Sequence, residues 1–124
     1  IKLETARLKY WESDLIKGVG DKAYPGFTQE ERGNFNDILE LGFIDIWRHL
    51  NPKLEYDGYT WWNMRIPAYR PHNKGWRIDY FLIDDQHLNL VKQCRVFKHI
   101  GESTKSTIGK YGSDHAPIGL ELSL

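Results

Sequence analysis

Residues 76–83 read Trp-Arg-Ile-Asp-Tyr-Phe-Leu-Ile, and this octapeptide restricts the fold more than any other segment of the chain. In an extended conformation side chains alternate sides, so Trp76, Ile78, Tyr80 and Leu82 share one face and Arg77, Asp79, Phe81 and Ile83 the other. A strand apolar on nearly both faces belongs inside a structure, between two packed layers. The end of the chain repeats the pattern, with Ile118, Leu120, Leu122 and Leu124 on one side and Gly119, Glu121 and Ser123 on the other. A third strand is expected at Tyr59-Thr60-Trp61-Trp62, whose aromatic and β-branched content suits a pleated surface.

Helical signals stand between and before these strands. Leu8, Trp11 and Leu15 recur at helical spacing ahead of Gly18, which predicts an amphipathic helix over residues 3–17, and the glycines and proline of residues 19–26 predict a loop. Thr28 followed by Glu31 is a capping box, in which hydroxyl and carboxylate satisfy amides that the first turn leaves unpaired. The helix that starts there should bury Phe35, Ile38 and Leu39 and stop at Gly42. Phe43 to Leu50 forms a second short apolar piece, broken by Asn51-Pro52, and the polar stretch from Gly101 to Gly112 reads as a surface loop. Helices interleaved with strands give an α/β fold.

Composition excludes several classes of function. The 17 basic and 17 acidic residues cancel, so no global field attracts a polyanion, although a local basic face is compatible with these counts. No apolar run reaches the roughly 18 to 20 residues of a membrane span, so no membrane partner is expected. Cys94 is the only cysteine, which fits a reducing, intracellular compartment better than a disulfide scaffold. The chain opens on Ile1 without a signal-peptide pattern, and residues preceding it are expected to be missing.

Two polar features depart from what folding alone selects. Asp79 interrupts an apolar strand, where an ionised carboxylate is costly unless it is paired. Gly112-Ser113-Asp114-His115 sets a carboxylate and an imidazole side by side just before the last strand. A carboxylate bonded to an imidazole fixes its tautomer and stabilises its protonated form, the arrangement of general acid-base sites. Asp79 and His115 are candidates for such a pair.

Five motifs in order, from Gly26-Phe27-Thr28-Gln29-Glu30-Glu31-Arg32 through Phe43-Ile44-Asp45-Ile46-Trp47-Arg48-His49-Leu50, Tyr59-Thr60-Trp61-Trp62 and Gly75-Trp76-Arg77-Ile78-Asp79-Tyr80-Phe81-Leu82 to Gly112-Ser113-Asp114-His115-Ala116-Pro117-Ile118, resemble exonuclease III and the apurinic/apyrimidinic endonucleases. The resemblance spans residues 26–124, with residues 1–18 similar to a helix remnant, and implies the C-terminal half of a four-layered α/β sandwich of the endonuclease/exonuclease/phosphatase type. It implies that His115 is the catalytic histidine, Asp79 its carboxylate partner, and Asp114 an aspartate near a magnesium or manganese site. By the same resemblance Trp61, Trp76 and Ile78 line a pocket for an extruded abasic sugar, and Asn63, Met64 and Arg65 lie in a DNA-contacting loop. Arg70, His72 and Lys74 are expected to meet phosphates there.

The implied activity is hydrolysis of duplex DNA 5′ to abasic sites, with 3′–5′ exonuclease activity alongside it. The implied location is the nucleus or mitochondrion of a eukaryote, or the cytoplasm of a prokaryote. The sequence also departs from the family: its asparagine, its metal-binding glutamate and its Gly-Asp-X-Asn motif are missing, since Gly20-Asp21 runs into Lys22-Ala23. A companion segment or chain is therefore expected to complete the site and cover the open sheet. The competing readings are a catalytically dead relative serving as a structural or binding module, and a phosphoesterase of inositol lipids in the same superfamily.

Overall fold

The computed structural model describes residues 28–53, 57–99 and 112–124. The expected helix over residues 3–17, the loop over 19–26 and most of the Gly101–Gly112 loop lie outside them. Three two-stranded antiparallel sheets and three helical elements build the described part. Helix α1 is Gln29–Glu40, strand β1 is Phe43–Asp45 and helix α2 is Ile46–Leu50. Strands β2 and β3 are Trp61–Trp62 and Gly75–Trp76; β4 is Leu82–Asp84, followed by a 3₁₀ helix at Asp85–Leu90; β5 is Val91–Val96 and β6 is Ile118–Leu122. No helix among the described residues is long and apolar enough to cross a membrane.

Local chemistry explains where these elements start and stop. Thr28 caps α1 reciprocally: its hydroxyl accepts the Glu31 amide at 3.1 Å and the Glu31 carboxylate accepts the Thr28 amide at 2.9 Å. Gly42 ends the helix at φ 106°, a left-handed conformation that costs glycine little, with its amide on Leu39 O. Phe35 on this helix stacks on Tyr80, ring centroids 4.3 Å apart. Ile38, expected on the buried face, is 41% exposed, and Leu41, Phe43 and Leu82 are exposed with it.

The single strand expected over Trp76–Ile83 is broken. Only Gly75–Trp76 pairs with β2, and only Leu82–Asp84 pairs with β1, through Phe43↔Asp84, Ile44↔Ile83 and Asp45↔Leu82. Residues 77–81 lie outside both ladders, and their polar groups take other partners. Arg77 turns inward and forks onto Asp45, Nη1 to Oδ1 at 2.9 Å and Nη2 to Oδ2 at 2.5 Å, with both side chains nearly inaccessible. Its guanidinium lies between the rings of Trp47 (5.2 Å) and Tyr80 (4.9 Å). The Tyr80 hydroxyl donates to Arg77 O at 2.7 Å, and the Ile46 amide to Phe81 O at 3.0 Å. Asp45 also caps α2 by accepting the Arg48 amide at 3.3 Å.

Strand β5 is an addition to the three expected strands. It pairs with β6 from Val91↔Leu122 to Val96↔Ile118, and the register slips between Val91 and Gln93, leaving Lys92 as the extra residue of a bulge. That bulge breaks the alternation by which a strand is recognised. The buried centre of the chain is aromatic: Tyr59, Trp62 and Ala116 cluster with Met64 and Val96 packed against them, and Ile46, Trp47 and Trp76 are buried beside β1 and β3.

The buried pair and the exposed one should respond differently to perturbation. Arg77→Met removes one member of a desolvated pair and leaves the Asp45 carboxylate uncompensated, so urea unfolding should show a loss of about 3–5 kcal/mol. Asp57, ahead of β2, is held below the usual carboxylate range chiefly by the hydrogen-bonded Lys98 ammonium, against a smaller opposing effect of desolvation. Because its folded-state value is the lower one, this contribution is present above the ordinary carboxylate pKa of about 4 and is lost as pH falls through the folded value. The fall in melting temperature across that acid window should be shallower for Asp57→Asn.

Candidate active site

Trp61 and Trp62 form the middle of a three-strand junction that brings the sequence-predicted residues together. On one side β2 pairs with β3 through Trp61↔Trp76 and Trp62↔Gly75. On the other, Trp61 bridges His115, the Trp62 amide donates to Asp114 O at 3.1 Å, and the Ala116 amide donates to Thr60 O at 2.7 Å. Gly75 permits the first approach, since a Cβ there would stand 2.4 Å from Trp61 O. Residues 79 and 115, far apart in sequence, are thereby carried to neighbouring edges of one junction.

At that junction His115 Nδ1 lies 2.7 Å from Asp79 Oδ2. An ionised carboxylate only accepts, so the proton resides on Nδ1 and Nε2 is left to meet a substrate. Both side chains are part-exposed, 42% for His115 and 36% for Asp79, so the pair is open to a ligand from solvent. Asp114 is exposed beside it, and its Oδ2 accepts the Trp61 indole N–H at 2.9 Å. The Ser113 hydroxyl accepts the His115 amide at 3.1 Å, closing the turn that precedes the imidazole.

The segment of residues 77–81, outside both ladders, carries Asp79. The Thr60 hydroxyl oxygen accepts the Ile78 amide at 3.0 Å and the Asp79 amide at 3.2 Å. Successive amides of a regular strand point in opposite directions, so two of them on one oxygen mark a departure from regular strand geometry. Thr60 is fully buried, and its backbone amide and carbonyl bond Trp76 O and the Ala116 amide. One threonine thus ties the segment of Asp79 to the segment of His115. Nothing in the sequence marks it, because a threonine between aromatics reads as an ordinary strand former.

The remaining expected residues are distributed around this junction. Trp61 and Trp76 stack with centroids 5.1 Å apart, Trp76 being 2% exposed beneath Trp61, and Ile78 is part-buried. Asn63 caps the following turn by accepting the Arg65 amide at 3.1 Å; Met64 packs on the aromatic cluster, and Arg65 is exposed. His72 is exposed, with Nδ1 2.9 Å from Ala68 O, and Lys74 lies 5.8 Å from the Tyr69 ring centroid. Arg70 corrects an expectation: it is 7% exposed, its guanidinium bonded to protein carbonyls, and so is not presented to a phosphate.

Thr60→Val replaces the hydroxyl by a methyl and strands two amides, each worth about 1–3 kcal/mol when buried without a partner. Thr60→Ser keeps the acceptor. Thermal or urea unfolding should rank the stabilities wild type, then Ser, then Val, with the gap between Ser and Val exceeding about 1 kcal/mol.

No family model matches the chain. Individual relatives do. It is 36% identical over 115 residues to an exodeoxyribonuclease of Streptococcus pneumoniae, covering 91% of this chain and 37% of that protein. It is also 36% identical over 113 residues to a DNA-(apurinic or apyrimidinic site) endonuclease of Dictyostelium discoideum, covering 91% of this chain and 28% of that one. Among solved structures, the 3′ phosphatase NExo of Neisseria, bound to a product DNA hairpin, aligns with TM-score 0.62 and 28% identity over 78% of this chain and 34% of its own. The AP endonuclease LMAP of Leishmania major aligns with TM-score 0.62 and 31% identity, over 77% and 26% respectively. The chain spans less than half the length of these relatives, and shares their α/β fold over the part it spans. By sequence and by fold, it belongs to the exonuclease III and apurinic/apyrimidinic endonuclease family.

Proposed function

We propose that this chain supplies the histidine half of a DNA-repair nuclease active site that hydrolyses the phosphodiester 5′ to an abasic sugar in duplex DNA, with 3′–5′ exonuclease activity at ends. The observation that carries this reading is the 2.7 Å contact between His115 Nδ1 and Asp79 Oδ2, part-exposed and adjacent to Asp114. In the hydrolysis a water oxygen bonds to phosphorus while the bond to the 3′ oxygen breaks, and negative charge gathers on the phosphoryl oxygens. Asp79 holds the proton on Nδ1 and stabilises the imidazolium, so that Nε2–H can hydrogen-bond the oxygen on which that charge grows.

A divalent cation, magnesium or manganese, belongs to this proposal, but the described residues alone do not fit one. No group of three or more His, Cys, Asp or Glu among them could hold a metal ion, and Asp114 already commits Oδ2 to Trp61. Asp114 Oδ1 can supply one ligand. The others must come from beyond the described residues.

The part-exposed indole of Trp61, stacked on Trp76, together with the part-buried Ile78, is the surface we assign to the abasic sugar, which lacks a base and costs little to extrude. The exposed Ile38, Leu41, Phe43 and Leu82 are where a companion segment or chain would dock to complete the sandwich. A role in DNA repair accords with a location inside the cell.

The test is cleavage of a duplex carrying one abasic-site analogue by the full-length protein. Incision is expected only with a divalent cation, and His115→Ala should lower kcat by about 10²- to 10⁴-fold. Metal-independent cutting, equal cutting of undamaged duplex, or an unimpaired His115→Ala variant would each contradict a separate element of the proposal.

A further inference from the structure

The guanidinium of Arg70 is buried, and two carbonyls that it bonds lie far from its own position in the chain. Nη1 donates to Ser113 O at 3.1 Å and Nη2 donates to Lys98 O at 3.0 Å. These two carbonyls lie at the two ends of the connection that leaves β5 and returns to the site. The same guanidinium lies over the Trp62 ring, its carbon 4.5 Å from the centroid. Trp62 is itself 1% exposed, and its amide donates to Asp114 O.

We infer that Arg70 is a positioning residue for the reaction, a staple that closes the stem between Lys98 and Ser113 on the Trp62 ring and thereby sets where Asp114 and His115 emerge. The inference rests on the nuclease reading for its effect on activity, and on geometry alone for its effect on structure. A flat, forked cation suits this role, because its two donors diverge toward two carbonyls while its face rests on an indole. A lysine ammonium carries the same charge as a compact point and cannot reproduce that fork. Bonding both carbonyls therefore requires the forked shape at position 70, which separates stapling from contact with a phosphate.

The experiment compares Arg70→Lys and Arg70→Gln in the full-length protein, with the lysine variant serving where the glutamine variant does not fold. Amide hydrogen exchange is read first, because it is independent of activity. Exchange should accelerate at Trp62 and Ala116, whose amides bond across the junction, while the amides of α1 keep their wild-type protection. In cleavage, both variants should lose about 10- to 100-fold in kcat, as expected for misplaced groups. KM and the salt dependence of duplex binding should be unchanged.

Recovery by lysine, or a drop of about one in the salt slope of binding, overturns the staple in favour of a phosphate contact. A uniform rise in exchange across the whole chain also overturns it, since that marks general stability. If wild-type protein does not cut, the nuclease reading fails, and the exchange pattern still decides the staple.

Discussion

The Asp45–Arg77 pair is the constraint from which the rest of the described structure follows. Both groups are almost wholly withdrawn from water, which is tolerable only because the guanidinium forks onto both carboxylate oxygens and lies between two aromatic rings. Arg77 meets Asp45 just past the end of β3 at Trp76, β4 begins only at Leu82, and between them lies a segment whose amides find other partners. Thr60 supplies an acceptor for two of them, and Asp79 is left facing His115. An ion pair separate from the His115–Asp79 contact thus helps to fix the segment that carries the Asp79 carboxylate.

The site combines rigid and open parts. Thr60, Trp62, Trp76 and Arg70 are buried, whereas Asp79, Asp114 and His115 are partly or largely exposed at its edge. The hydrogen bonds of Thr60 and Arg70 resist displacement, because leaving a buried donor or acceptor unpaired is expensive, and the two indoles are held by packing against Arg70 and Trp61. The exposed groups can then meet a charged ligand without first being reorganised, which is the condition for electrostatic help to a developing charge.

The legibility of these features in the sequence tracks how local their causes are. The Thr28–Glu31 capping box and the Gly42 stop involve residues three or fewer apart or a single backbone conformation, and both occur where the pattern places them. Asp79 and His115 are visible for another reason, since a carboxylate in an apolar run is costly unless paired and a histidine just before the last strand offers it a partner; neither alone marks a site. The continuous strand over residues 76–83 fails because alternation records which faces are apolar, not which polar side chain has a distant partner. Arg77 reads as one face of a strand until Asp45 claims it. Arg70 reads as a surface cation among other cations, and only the return of Ser113 and Lys98 to one place gives it a buried role. Strand β5 is hidden by the bulge at Lys92.

The chain spans about two fifths or less of the relatives it matches, and the claim most directly tied to its own residues concerns the histidine. Asp79 keeps the proton of His115 on Nδ1. Proton NMR of the full-length protein with histidine ring nitrogens labelled tests this directly. It should show a strongly deshielded, slowly exchanging Nδ1–H for His115 that disappears in Asp79→Asn while the remaining spectrum is retained. A neutral His115 protonated on Nε2, or an Nδ1–H signal untouched by that substitution, would contradict it.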